Sequence, residues 1–312
     1  MKAIVTGGAG FIGSHIIDRL LNDGYTVTSL DNMSIGTSKN IEHLKNNRKF
    51  KHKTCDLRNK KDVINATKGY DVIFHIAAFA NLRKSLIHHY FDLENNLITT
   101  INIFEAMLKN EINDIVFSST SSVYGNAQIL PTPETYHPTQ TSLYGASKIS
   151  SEAFAEAYTN LSNIKLCAFR FSNVIGPRCR RGVIWDFVHK LNLNPKRLDI
   201  LGNGKQSKEY IHVRDCIDGI MLGYKKSRGK VNIFNLGVED NMTVDEVADV
   251  VIKEMKLKNV KKTYTGTEAG WIGDNAVVQL DLTKIKRLGW KQTVPAERAV
   301  AETTRWTLDS LM

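Results

Sequence analysis

Lys2-Ala3-Ile4-Val5-Thr6-Gly7-Gly8-Ala9-Gly10-Phe11-Ile12-Gly13 is the stretch on which the fold turns. Its apolar start, residues 3–6, reads as a buried strand. Three glycines spaced by two residues follow, and a helical pattern begins at once, with Ile16, Ile17, Leu20 and Leu21 on one stripe. Gly24 stands where a helix C-cap belongs. Glycine permits the tight turn from strand to helix and lets a backbone approach a ligand closely. The helix start adds free N–H groups and a partial positive charge, which suit a pyrophosphate. A second apolar run, residues 25–30, ends in Asp31, eighteen residues past Gly13. A carboxylate there accepts hydrogen bonds from ribose hydroxyls and repels a 2′-phosphate. The stretch therefore predicts a dinucleotide site that prefers NAD to NADP.

Working outward, residues 71–77, 114–119 and 165–171 are further apolar runs with little alternation, as in strands buried on both faces. Helical patterns separate them, one carrying Leu97, Ile101, Phe104 and Leu108. Strand and helix in repeated alternation predict an α/β fold with a doubly wound parallel sheet. Beyond residue 172 the pattern loosens. Turn signals mark 192–195 and Gly202-Asn203-Gly204, helices are expected over 183–191, 213–225 and 244–255, and 233–237 is expected to return a strand to the sheet. The predicted organisation is a dinucleotide-binding domain over 1–172, with return segments near 211–237. A smaller, partly discontinuous substrate lobe is expected from 173–210 and 238–312.

The 312 residues carry 42 lysines and arginines against 32 acidic residues, a formal charge of +10. The charge is scattered, with short groups such as Lys49-Phe50-Lys51-His52-Lys53 and Lys225-Lys226. That predicts a solvated basic surface and no nucleic-acid partner, and it would draw in an anionic substrate. No run approaches the roughly 20 apolar residues that cross a bilayer. The opening residues do not read as a signal peptide, so a cytoplasmic protein without membrane attachment is expected. Cys55, Cys167, Cys179 and Cys216 form no C-x-x-C pair, which predicts reduced buried thiols and no metal.

Two groups carry chemistry. Tyr144-Gly145-Ala146-Ser147-Lys148 places a phenol and an ammonium at i and i+4, on one face of a helix. A tyrosine is a poor base at neutral pH unless a neighbouring cation favours its phenolate. Upstream, Ser118-Ser119-Thr120-Ser121-Ser122-Val123-Tyr124-Gly125 puts hydroxyls at the C-terminal end of a strand, where open α/β sheets bind ligands.

The G-x-x-G-x-x-G turn, the hydroxyl cluster and Y-x-x-x-K together resemble the extended short-chain dehydrogenase/reductase superfamily, with its Rossmann domain. The resemblance sharpens toward the UDP-glucose 4-epimerases at Pro131-Thr132-Pro133-Glu134, Arg170-Phe171-Ser172-Asn173-Val174-Ile175-Gly176-Pro177-Arg178, Arg181-Gly182-Val183-Ile184-Trp185-Asp186-Phe187, Gly202-Asn203-Gly204-Lys205-Gln206 and Tyr210-Ile211-His212-Val213-Arg214-Asp215. It implies NAD contacts from Gly7, Gly10, Phe11, Ile12 and Gly13 at the turn, and from Asp31, Asn32, Ser34 and Gly36 after the second strand. It adds Asp56 and Leu57 near the adenine, Ile76, Ala77 and Ala78 at a strand end, and Asn96, Tyr144 and Lys148 on the nicotinamide side. Thr120, Tyr144 and Lys148 become the catalytic set, and no metal is implied. A UDP-sugar would be held by Arg83, Thr120, Asn173, Val183, Ile200 and Lys208.

The resemblance further implies that Tyr144 takes the C4 hydroxyl proton while the sugar is oxidised to a 4-ketose and reduced on its other face. The chain departs from the pattern twice. Lysine stands at Lys208 where arginine is usual, which keeps the charge but loses the bidentate fork. Ala269 stands where relatives carry a diphosphate-binding arginine before Gly270-Trp271; Arg83, Arg178, Arg180 and Arg181 are the available substitutes. Related 4,6-dehydratases carry Thr-Asp-Glu where this chain has Thr120-Ser121-Ser122, so the acid and base for removing water are missing. UDP-glucuronate and N-acetylated sugars remain open as substrates, a UDP-glucuronate decarboxylase is a further alternative, and a non-catalytic NAD-binding module is the alternative outside enzymes. The resemblance also implies a homodimer through helices near 96–109 and 147–158, where Phe104, Met107, Phe154 and Tyr158 are either interface or core.

Overall fold

The computed structural model describes residues 1–80, 87–266 and 277–311. Its first strand, β1 (Lys2–Thr6), is buried from Ala3 onward and leads through the glycine turn into α1 (Phe11–Asn22). There follow β2 (Thr26–Asp31), β3 (Phe50–Thr54), α2 (Lys60–Ala66) and β4 (Val72–His75). A single helical turn, Tyr90–Asp92, and a π-helical turn, Leu93–Ile98, lead into α3 (Thr99–Asn110). Then come β5 (Asp114–Thr120), a 3-10 turn Ser121–Tyr124, α4 (Leu143–Asn160) and β6 (Lys165–Phe171). The later chain forms β7 (Asn173–Ile175), α5 (Val183–Leu193), β8 (Arg197–Ile200), β9 (Ser207–Lys208), β10 (Tyr210–His212), α6 (Val213–Lys226) and β11 (Val231–Leu236). It ends with β12 (Met242–Thr243), α7 (Val244–Glu254), β13 (Lys261–Tyr264), α8 (Thr283–Arg287) and α9 (Ala296–Leu311).

Seven strands form one sheet in the order β11-β6-β5-β4-β1-β2-β3. β1 pairs in parallel with β2 and with β4, placing Ala3 beside both Val27 and Val72. β2 continues in parallel to β3, and β4 to β5. The order 3-2-1-4-5-6 reverses direction between β1 and β4, which makes that gap the topological switch point of a doubly wound sheet. The expected α/β fold is therefore the observed one. The sequence reading missed β3, because Lys51, His52 and Lys53 read only as surface charge. They are exposed on an edge strand, where lysines also block pairing with another sheet.

The chain forms two compact units. One comprises Met1–Gly125, His137–Arg170 and Gly219–Phe234; the other comprises Asn126–Tyr136, Phe171–Asp218 and Asn235–Met312. The first has a core of Ile4, Leu30, Ile73, Phe104, Ile115, Phe117 and Leu166, each worth roughly 2 kcal/mol of burial. The second packs Phe187, Leu191, Leu198, Ile200, Val247, Val251 and Val300. Residues 126–136 join the second unit, not the first as the sequence division had them. Thr132 N–H donates to the Gln279 carbonyl, and Asn235 Nδ2 donates to the Thr132 carbonyl.

α9 had no reading in the sequence, because its inward stripe is built from Ala296, Ala299, Val300 and three threonines. Each threonine hydroxyl bonds the carbonyl four residues back (Thr303 to Ala299, Thr304 to Val300, Thr307 to Thr303), so polar side chains can be buried there.

Candidate active site

The glycine turn lies at the C-terminal end of β1. Gly7 has φ +65°, and a β-carbon there would meet the Ala77 backbone at 2.8 Å. A β-carbon on Gly13 would fall 2.1 Å from the Gly7 carbonyl oxygen, so only glycine lets α1 start this close to the strand. α1 has no side-chain cap, which leaves the first-turn N–H groups of Phe11 and Ile12 for a ligand anion.

Asp31, at the end of β2, is buried and accepts the Ala9 amide N–H at 3.0 Å and the Met33 N–H at 2.8 Å. A carboxylate has about four acceptor sites, so two remain for ribose hydroxyls. The following loop, with Asn32, Ser34 and Gly36, folds back so that Thr37 N–H and Asn40 Nδ2 both donate to the Ala9 carbonyl. Asp56 is held by the Arg58 guanidinium at 2.6 Å, which keeps its carboxyl below the usual range, while the Leu57 side chain is spent in the core. A cradle of glycine backbone with a carboxylate beside it fits an adenine dinucleotide with a free 2′-hydroxyl.

Beneath the turn, the end of β4 is fixed by a directional hydrogen-bond chain. Thr6 Oγ1 accepts the Ile76 and Ala77 amides, both at 3.1 Å, so its own proton goes to His75 Nδ1 at 2.8 Å. That assigns the neutral tautomer of His75, with Nε2–H donating to Thr100 Oγ1 at 3.2 Å. Thr100 donates in turn to the Asn96 carbonyl at 2.6 Å. His75 is buried, and that burial, with the Lys148 ammonium nearby, pushes it down to about 3. Ala77 and Ala78 are left partly open beyond it.

Asn96 sits in the π-helical turn, a feature often found at functional sites. Its side chain bonds both the N–H and the carbonyl of Phe79 and donates to Ser147 Oγ at 2.9 Å. Asn96 therefore ties the segment after β4 to α4.

Thr120 ends β5 and caps the 3-10 turn, accepting the Ser122 N–H at 3.1 Å and donating to Ser122 Oγ at 3.2 Å. Ser142 caps α4 through the Gly145 N–H at 3.0 Å. A β-carbon on Gly145 would lie 2.7 Å from the Ser122 carbonyl, so the start of α4 packs directly on the hydroxyl turn. One turn of α4 carries Tyr144 and Lys148, 8% and 1% exposed. The Lys148 ammonium lies 4.2 Å from the centre of the Phe117 ring. Burial pushes Lys148 down to about 7, against the opposing pull of Glu152. The first unit thus brings Thr120, Tyr144 and Lys148 together with the glycine turn, Asp31 and Asn96.

Four of the residues expected to hold a sugar nucleotide, Asn173, Val183, Ile200 and Lys208, lie in the second unit. Asn173 is exposed at the start of β7 and donates to the Glu209 carbonyl at 3.0 Å. Val183 opens α5, and Lys208 is half-buried in β9. The Ile200 side chain is fully buried in the core, which leaves only its backbone for a ligand. Arg83 and Ala269 lie outside the described residues. The sequence reading passed over Thr6, Thr100 and Glu152, since no local spacing joins each of them to partners so far along the chain.

Residues 3–237 match the model of the NAD dependent epimerase/dehydratase family. The UDP-glucose 4-epimerase of Mycolicibacterium smegmatis is 29% identical over 314 residues, 98% of each chain. A solved UDP-galactose 4-epimerase is similar over 100% of both chains, with TM-score 0.89 and 33% identity. The UDP-glucuronic acid 4-epimerase from Bacillus cereus, solved with NAD, is similar at TM-score 0.91 and 25% identity over 99% of this chain and 100% of that one. With that match and a glycine cradle suited to the cofactor, the chain belongs to the NAD dependent epimerase/dehydratase family, whose cofactor is NAD.

Proposed function

We propose that the protein is an isomerase, a nucleotide-sugar 4-epimerase that inverts C4 of a UDP-hexose (UDP-glucose or UDP-galactose) through a 4-keto intermediate. The reading rests on the buried Tyr144–Lys148 pair packed against a turn whose polar side chains are hydroxyls only. Bound NAD supplies the oxidant for the C4 alcohol and returns the same hydrogen, so there is no net redox change. Tyr144 accepts the proton of the C4 hydroxyl and later gives it back to the ketone oxygen. The Lys148 charge favours the phenolate that does this. The Thr120 hydroxyl holds O4 in place. Ser121 and Ser122 offer neither an acid nor a base for removing water, which separates the chain from the dehydratase chemistry of its family. Arg83, Asn173, Val183, Ile200 and Lys208 hold the nucleotide, and the reaction serves galactose metabolism.

The test is NMR of the purified protein with UDP-galactose and, in a second tube, UDP-glucuronate, with no added reductant. UDP-glucose appearing from UDP-galactose supports the reading. Inversion of UDP-glucuronate alone keeps the chemistry and reassigns the substrate. No change in either tube, with NAD bound, overturns the substrate assignment.

We further propose a homodimer through α3 and α4. Phe104 and Met107 turn out to be core, with Phe104 stacked on Tyr158 at 5.2 Å. A second apolar face remains: Ile98, Leu108, Leu143 and Phe154 are 37–46% exposed. Light scattering should give twice the chain mass, and Phe154→Glu should reduce it to one. A monomeric wild type at micromolar concentration would overturn the dimer.

A further inference from the structure

Around the catalytic turn lies a buried ionic network that the chemistry above leaves unused. Glu152 and Arg170 are 4% and 5% exposed. Arg170 grips the Glu152 carboxylate from two sides, with Nη2 to Oε2 at 2.7 Å and Nε to Oε1 at 3.1 Å. Its remaining arm, Nη1, donates to the Tyr124 hydroxyl at 2.9 Å, and the guanidinium lies 4.9 Å from the centre of that ring. The Ser119 hydroxyl donates to Glu152 Oε1.

These contacts have a pattern. Ser119 immediately precedes Thr120, and Tyr124 closes the 3-10 turn that Thr120 caps. Glu152 follows Lys148 by four residues, one turn along the same face of α4. One carboxylate therefore touches the strand end that carries the catalytic hydroxyl and neighbours the catalytic ammonium. A buried ion pair seldom adds net stability over apolar packing, so such a pair is better explained by the geometry it imposes.

We propose that Glu152, clamped by Arg170, is a positioning residue: it anchors the turn bearing Thr120 and sets a negative charge one helical turn from the Lys148 ammonium. The inference rests on the Tyr144–Lys148 reading above. Among the described residues, the ionisable groups that bear on Lys148 are Glu152, one turn along its own helix, neutral His75 on β4, and Arg170, which acts through Glu152. Glu152 is the carboxylate that acts on it, opposing the burial of the ammonium.

The test reads Lys148 directly. Protein freed of NAD and labelled with ¹³C at lysine Cε is titrated by NMR, and the Lys148 signal is identified by its loss in Lys148→Met. Glu152→Gln removes the charge and should lower the Lys148 midpoint by about one pH unit. Ser119→Ala cuts one tie without changing charge and should leave the midpoint in place while lowering kcat more than it changes KM. The basic limb of the pH–rate profile should move down in Glu152→Gln by the same interval as the midpoint. Should Glu152→Gln fail to fold because Arg170 is left unpaired, Glu152→Gln/Arg170→Met removes both charges and should move Lys148 in the same direction. An unmoved midpoint in the folded single or double variant overturns the proposal. Because the titration needs no turnover, it stays readable if the epimerase reading fails.

Discussion

Tyr144→Phe should lower kcat by about a thousandfold or more while the protein still carries NAD, because a positioned acid–base group contributes on the order of 10² to 10⁴ in rate. The substitution removes one oxygen. The side chain stays buried, 8% exposed, and the Ser147 hydroxyl, which also takes the Asn96 amide, bonds the Tyr144 backbone carbonyl, a tie the substitution keeps. Fold and cofactor site are thus preserved, and the loss falls on proton transfer alone. Replacing Lys148 would be a blunter test, since that side chain fills buried space against Phe117 and faces the His75 region. The measurements are the single-turnover rate on UDP-galactose and the NAD content after gel filtration. A kcat within tenfold of wild type would remove Tyr144 from the mechanism. Full loss of NAD would instead mean that the phenol is needed to hold the cofactor.

What the sequence revealed and what it concealed divide along one physical line. The glycine turn, Asp31 and the Tyr144–Lys148 pair are short-range patterns: each requires particular residue types a few positions apart, so each was legible. β1, β2, β5 and β6 were legible for the same reason, since strands buried on both faces are apolar runs. β3 was hidden because an edge strand with solvent on one side can be built from Lys51, His52 and Lys53. α9 was hidden because threonines that bond their own helix can stand where leucine is expected. The network around Thr120 was hidden because Ser119, Tyr124, Glu152 and Arg170 come from four elements and meet only when the sheet is assembled. His75 was visible as part of a strand end, but its role as the link between Thr6 and Thr100 depends on which neighbours supply the protons. The helix pattern of Leu97, Ile101, Phe104 and Leu108 was real, yet only Phe104 is fully buried, since α3 has two apolar faces and the second one looks outward.

Glu209 is predicted to make stability fall as pH rises, and Glu209→Gln to remove that dependence. The carboxyl is fully buried in the second unit, where Oε1 accepts the Leu280 N–H at 2.7 Å. Burial pushes it up to about 8, against the pull of the Leu280 and Val238 amides. The folded protein therefore keeps this proton at pH values where the unfolded chain, titrating near 4.5, has released it. Where the folded state binds more protons, stability falls with rising pH. The loss runs from about 4.5 to about 8 and amounts to roughly 5 kcal/mol. Glutamine has the shape and hydrogen-bonding pattern of the protonated acid, so it preserves the bond to Leu280 without the penalty. Lys148 acts in the opposite sense: its folded value near 7 lies below the unfolded 10.5, so it adds stability as pH rises through that window. The informative quantity is accordingly the difference between the two proteins and not the wild-type curve alone. Melting temperatures measured from pH 5 to pH 9 should diverge by roughly 5–10 °C, with the variant ahead at high pH. Parallel curves would show that Glu209 stays ionised in the folded protein and that Leu280, Val238 and the surrounding packing carry its charge. The same divergence would tie the alkaline loss of stability to the carboxyl that bonds residue 280, between β9 and β10 and next to Lys208 in the chain.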